Sequence, residues 1–256
     1  MFGYFRNKRR KEWLAVPLTS DERALLSGWM PHWEHLPTEE QARLTGVLQV
    51  LRHEKNFEGC GGLVLDEGMP LLIAAYAGLL ILNRPGDYYP GLVSVLIYPE
   101  AFVVHDVGAD EDGFIVQESE EREGEAWDTG AIVLSWEDIT NDLQERDGRN
   151  VIVHEFAHHL HATAWGPDRS PGLTSPQAIN EFERVLQREY EALQRSVEKE
   201  RETLLDPYGA ELPEEFFAVA TETFFDLPVE MREEHPDLYR QLSLFYQSDP
   251  ARWFEG

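Results

Sequence analysis

Apolar positions along this chain repeat in two periods, one helical and one strand-like, separated by short clusters of Pro, Gly and Asp. Thr19-Ser20-Asp21-Glu22 reads as a helix start, as does Pro37-Thr38-Glu39-Glu40. The second leads into Leu44, Val47, Leu48 and Leu51, spaced to bury one helix face, until Gly59 to Gly62 break the run. Met69 to Leu82 is apolar almost throughout and predicts a helix covered on several sides. Val93 to Tyr98, Ala101 to Val104, Phe114 to Gln117 and Ala131 to Trp136 read as strands. Glu118 to Glu125 is dense in acids and predicts a surface loop. A buried helix follows Asn150, and Ile179 to Leu204 predicts a long helix with exposed Glu–Arg and Glu–Lys pairs. Helices, then a small mixed sheet, then helices again predict an α+β fold.

The helix after Asn150 carries the chemistry. It contains His154-Glu155-Phe156-Ala157-His158, an H-E-x-x-H motif. Histidines four apart lie on one helix face, so both imidazoles reach one metal ion. Glu155 then stands beside the open coordination position. The context suits a helix: Val151, Ile152, Val153, Phe156, Ala157 and Leu160 supply a buried face. Asn150 is placed to cap the start, Gly166-Pro167 ends the run, and no proline falls between.

A catalytic zinc site needs a third protein ligand. His161 shares the face but lies about 4.5 Å further along the axis than His158, too far to reach back. The metzincin extension is absent, with Ala164 where its third histidine would stand. The third ligand is therefore expected from another segment, and the best is Asp206 to Val219. There Asp206-Pro207-Tyr208-Gly209 is a turn, and Pro213-Glu214-Glu215 opens an apolar helix. A carboxylate at that position is either a solvated first-turn acid or a ligand.

Several stretches together resemble the Mlc titration factor A family of bacterial zinc-dependent peptidases. They are Phe57 to Gly62, Asp87-Tyr88-Tyr89-Pro90-Gly91, Ser94 to Pro99, Ala131 to Trp136, the His154 motif, Glu215 to Val219 and Phe245 to Pro250. The metal-site layout is also similar to that of the anthrax lethal factor catalytic domain. The resemblance implies a zincin-like, gluzincin-type metallopeptidase fold with one zinc ion per chain, held by His154, His158 and Glu215. It implies Glu155 as general base and Tyr208 as a hydrogen-bond donor in the site. It implies a peptide or protein substrate, and, as an alternative function, capture of a transcriptional regulator with little or no peptidase activity. The chain departs from the family pattern at His159-Leu160-His161 and at Leu212, neither of which is a ligand in that assignment. Spacing adds Glu222, seven residues beyond Glu215 and on nearly the same face, as either a carboxylate holding a ligand histidine or a surface acid. Ala131 to Trp136 is either a sheet-edge strand beside an extended substrate or an internal strand with no substrate contact.

Composition sets the remaining bounds. The 256 residues include 48 acids against 22 Lys and Arg, a net charge of −26. Such a surface repels phosphate backbones and predicts no direct binding to nucleic acid. A single cysteine, Cys60, excludes an internal disulfide and a cysteine-based zinc site. Residues 1–11 read as a basic flexible tail, and no apolar signal-peptide core follows them. Residues 12–256 read as one compact domain, helical over roughly 12–85, with the sheet and metal-binding part over roughly 86–256. No run is long enough to span a membrane, and a cytoplasmic protein is expected.

Overall fold

The computed structural model describes residues 2–84, 88–100, 106–109, 115–118, 130–163 and 173–255. The chain opens with four helices: α1 (Phe2–Trp13), α2 (Ser20–Trp29), the short α3 (His32–His35) and α4 (Thr38–Glu54). Strand β1 (Asn56–Gly59), helix α5 (Gly68–Leu80) and strand β2 (Ser94–Tyr98) follow. Then come β3 (Asp106–Ala109), β4 (Ile115–Glu118) and β5 (Ala131–Ser135). The rest is helical: α6 (Trp136–Glu145), α7 (Val151–Thr163), α8 (Pro176–Val197), α9 (Pro213–Asp226), α10 (Pro228–Glu234) and α11 (Pro236–Tyr246), with 3-10 turns at Pro207–Ala210 and Pro250–Phe254. The fold is α+β. Among the described residues no helix is long and apolar enough to cross a membrane.

Local chemistry accounts for the element ends. Thr19 Oγ1 accepts the Glu22 N–H while Glu22 accepts the Thr19 N–H, a reciprocal cap on α2. Ser135 Oγ accepts the Asp138 N–H, so β5 ends at Ser135, one residue before the expected strand end, and α6 starts at Trp136. Ser175 caps α8 with Pro176 in its first turn, and the helix ends at Val197, earlier than Leu204.

The sheet is small. Strands β1, β2 and β5 pair in parallel in the order β1-β2-β5, and β3 pairs antiparallel with β4 in a separate sheet. Strand β5 is therefore at an edge among the described residues. The expected strand Ala101 to Val104 and most of the acidic loop after Glu118 lie outside them. Helix α5 connects β1 to β2 and is buried from Leu71 through Leu80, as its unbroken apolar run requires. The apolar core is continuous from Leu18 to Trp253 and draws on α4, α5, α7, α9 and α11.

The segment expected as a flexible tail is helical. Arg10 of α1 donates two bonds to Glu54 of α4, at 2.7 and 2.6 Å, and lies 4.4 Å above the Tyr88 ring. Trp13 stacks on His53 at 4.9 Å between centroids. These contacts tie the helix down, and its last-turn Arg10 and Lys11 suit the negative end of the helix dipole.

Candidate metal centre

Helix α7 begins where three side chains meet its free N–H groups. Asn150 Oδ1 accepts from Val153 at 3.2 Å, and Asp142 Oδ2 accepts from Val151 at 2.8 Å. Glu222 Oε2, from the crossing helix α9, accepts from the Asn150 backbone at 2.6 Å. Ile152, Val153, Phe156, Ala157 and Leu160 are buried and fix the roll of the helix. His154 and His158 then face α9. That helix is buried from Glu215 through Phe225, which places Glu215 and Glu222 in the interior on nearly the same face.

His154 Nε2 lies 3.0 Å from Glu215 Oε2 and 3.0 Å from His158 Nε2, and His158 Nε2 lies 3.2 Å from Glu215 Oε2. The triangle is close to one face of a tetrahedron with bonds of about 2.0 Å, whose edges are about 3.3 Å. Among the described residues these three form a group able to hold a metal ion, all donor atoms lying within 4.8 Å of one another. Two imidazoles and one carboxylate are a donor set suited to zinc.

Charge makes the same demand. Burial works to lower the His154 pKa, but hydrogen bonds to Glu215 and Glu222 and the charges of Glu222 and Glu155 hold it well above the ordinary histidine value. Burial works to raise the Glu215 pKa, yet the bonds to His154 and His158 outweigh it and bring it to about 2. Glu222 is raised by burial, against its bond with His154. Buried carboxylates cost several kcal/mol each unless a positive charge answers them. A proton on His154 answers part of this demand. A divalent cation within the triangle answers more of it and leaves the Nδ1–H of His154 for Glu222 Oε1, 2.7 Å away. The residues present fit zinc.

Tyr208 stands on the 3-10 turn ahead of α9, its ring centroid 6.0 Å from that of His154. Asp206 Oδ1 accepts the Tyr208 N–H at 2.9 Å, and Asp206 Oδ2 pairs with Arg149 at 2.7 Å, joining this turn to the loop before α7. Gly209 lets the turn lie flat on its neighbours, since an added Cβ would sit 3.2–3.3 Å from Val219 and Leu193. Glu155 is half-buried on α7.

The remaining histidines go elsewhere. His161 packs on Phe217, 5.1 Å between ring centroids, and burial lowers its pKa. His159 Nε2 lies 3.2 Å from the Pro90 carbonyl. His32 meets Phe225 O and Asp226, His53 stacks on Trp13, His35 packs at a tilt against Phe254, and His235 meets Glu189. His105 lies outside the described residues. Leu212, at the cap of α9, makes no side-chain capping bond. The sequence reading missed Asp142, Arg149 and the acceptor role of Asp206. Only Asp206 had a signal, as the first residue of an Asp-Pro turn.

A helix-borne histidine pair completed by a glutamate from a crossing helix, on an α+β scaffold, is the layout of a metallopeptidase-like protein. The sequence model of the family described as glucose-regulated metallo-peptidase M90 matches residues 5–247, and the chain belongs to that family. It is 36% identical to an uncharacterized protein of Synechocystis over 245 residues, 94% of this chain and 89% of the relative. It is 32% identical to Mlc titration factor A of Pectobacterium atrosepticum over 84% of this chain and 82% of that one. With Mlc titration factor A of Serratia proteamaculans it shares 31% identity over 86% and 85%.

Proposed function

We propose that the chain is a zinc-dependent peptidase whose zinc is held by His154, His158 and Glu215. The observation that carries this reading is the convergence of those three donor atoms, with Glu222 behind His154. When bound there, zinc supplies Lewis acidity toward a substrate carbonyl and acidifies water. Glu155, next to the first histidine, takes a proton from the attacking water. As the water oxygen bonds to the carbonyl carbon, the Tyr208 hydroxyl donates to the oxygen that gains charge. Glu155 then passes its proton to the leaving nitrogen as the C–N bond breaks, so the step needs no further reactant. Strand β5, at a sheet edge among the described residues and two elements of chain before α7, offers backbone groups along which an extended peptide aligns.

A second reading rests on the relatives named Mlc titration factor A: the chain binds a transcriptional regulator. The two readings part at Glu155. Binding alone gives that residue no task beside two histidines. Assay of the zinc-loaded chain on a broad peptide library tests the peptidase reading. Chelator-sensitive cleavage lost in Glu155→Gln supports it, and no cleavage of any peptide favours the regulator.

A further inference from the structure

The chain is strongly acidic overall, yet residues 6–11 carry Arg6, Lys8, Arg9, Arg10 and Lys11. Helix α1 brings part of this charge to a cavity of about 450 Å³ between itself, the end of α4 and the loop 88–92. Arg6, Arg9, Arg10 and Lys55 line it against one carboxylate, Glu54, and both oxygens of Glu54 are held by Arg10. Arg6 and Arg9 make no ion pair with any described residue. Arg9 lies 5.9 Å above the Trp13 ring. The walls are aromatic as well as basic, with the Trp13–His53 stack and Tyr88.

The floor is built rather than incidental. Lys55 is buried, and its Nζ donates to the carbonyls of Tyr89 and Leu92 at 2.7 and 2.8 Å. Those bonds hold the loop in place and leave an ammonium beneath the cavity. The same loop rests on α7: the Tyr89 ring packs 4.8 Å from Phe156, and His159 lies against Pro90 O.

We infer that this cavity is a binding site for a small soluble phosphomonoester carrying an apolar organic group. A phosphate brings a charge of about −1.5 to −2 and three acceptor oxygens, enough to engage two guanidinium forks at once. A single carboxylate satisfies one fork. Trp13, His53 and Tyr88 give the cavity apolar wall for an organic group, although His53 and Arg9 already lie over Trp13 and Arg10 over Tyr88, and the volume lies within the usual range of small-molecule sites. Elsewhere the net charge of −26 disfavours anions, so the basic cavity selects them by contrast.

The test is calorimetric titration of the full chain with phenyl phosphate and with inorganic phosphate, with zinc and after chelator treatment. Phenyl phosphate is expected to bind one per chain, more tightly than inorganic phosphate and equally in both metal states. Arg6→Ala and Arg9→Ala are each expected to weaken it about tenfold or more, the scale of a lost charge-assisted bond. Arg184→Ala, which removes an exposed partner of Glu181 on α8, is the control and is expected to change nothing. Melting temperatures near that of the parent show that the variants fold. Absence of binding, or equal binding by parent, Arg6→Ala and Arg9→Ala, overturns the proposal. Binding that requires zinc also overturns it, because the probe is then at the metal centre. So does capture on phosphatidylglycerol vesicles without binding of phenyl phosphate, which would make α1 a membrane contact. The outcome is independent of whether the chain cleaves peptides.

Discussion

One carboxylate, Glu222, meets both His154 and the start of its helix: Oε1 lies 2.7 Å from His154 Nδ1, and Oε2 accepts the Asn150 N–H. The ring orientation and the position of α7 on α9 therefore depend on the same side chain. A neutral histidine so held keeps its proton on Nδ1, donates it to the carboxylate as a hydrogen bond, and presents Nε2 as the lone pair.

Glu222→Ala is expected to weaken zinc binding by about 10–100-fold without abolishing it, the usual effect of removing such a partner. Competition with a chromophoric chelator measures this. Affinity equal to that of the parent would show that Glu222 serves packing alone.

Glu155→Gln is expected to retain zinc and lose peptide hydrolysis by about 10²–10⁴-fold, since the amide cannot take a proton from water. Metal content and turnover measured on one preparation check it. Unchanged turnover removes Glu155 from the mechanism.

Tyr208→Phe is expected to keep zinc and folding and to lower kcat, with a loss of about 2.7–4 kcal/mol of transition-state stabilisation. Asp206→Ala frees the Tyr208 N–H and breaks the ion pair with Arg149, so a smaller loss in kcat is expected. If Tyr208→Phe lowers only the melting temperature, the tyrosine is a packing residue.

Asp142 gives a pH dependence away from the metal ligands. Burial, with the charges of Asp138 and Asp147, outweighs the Val151 N–H and Arg149 and pushes its pKa from 3.8 to about 6. Between those values the folded chain keeps a proton that the unfolded chain has released. Its contribution to stability therefore falls as pH rises through this window, and the full penalty stands above it. Asp142→Asn removes the ionisation and keeps an oxygen for Val151. Its melting temperature is expected to exceed that of the parent at about pH 8, with the gap closing toward about pH 4. A constant gap across that range contradicts the shift.

Much of this architecture was legible in the sequence because it rests on local patterns. The reciprocal cap at Thr19 and Glu22, the buried stripe of α4 and the apolar run of α5 each follow from residues close in the chain. So does the partnership of Glu215 and Glu222, since seven residues make two helical turns. The helical state of α1 was not legible, because it depends on Arg10 meeting Glu54, 44 residues away. Helix α6 hid behind the strand it follows, and only Ile139 and Leu143 are buried along it. The Asp147-Gly148 pair marks the turn before α7, but nothing local shows that Asp142, ahead of that turn, reaches Val151 across it.

The proposed chemistry requires one zinc ion between α7 and α9. Crystals of the zinc-loaded chain measured at the zinc absorption edge test it most directly. One anomalous peak per chain is expected within bonding distance of His154 Nε2, His158 Nε2 and Glu215 Oε2, absent in Glu215→Ala crystals prepared alike. A peak held by His161 or Glu214 in place of Glu215, or none between the two helices, would contradict it.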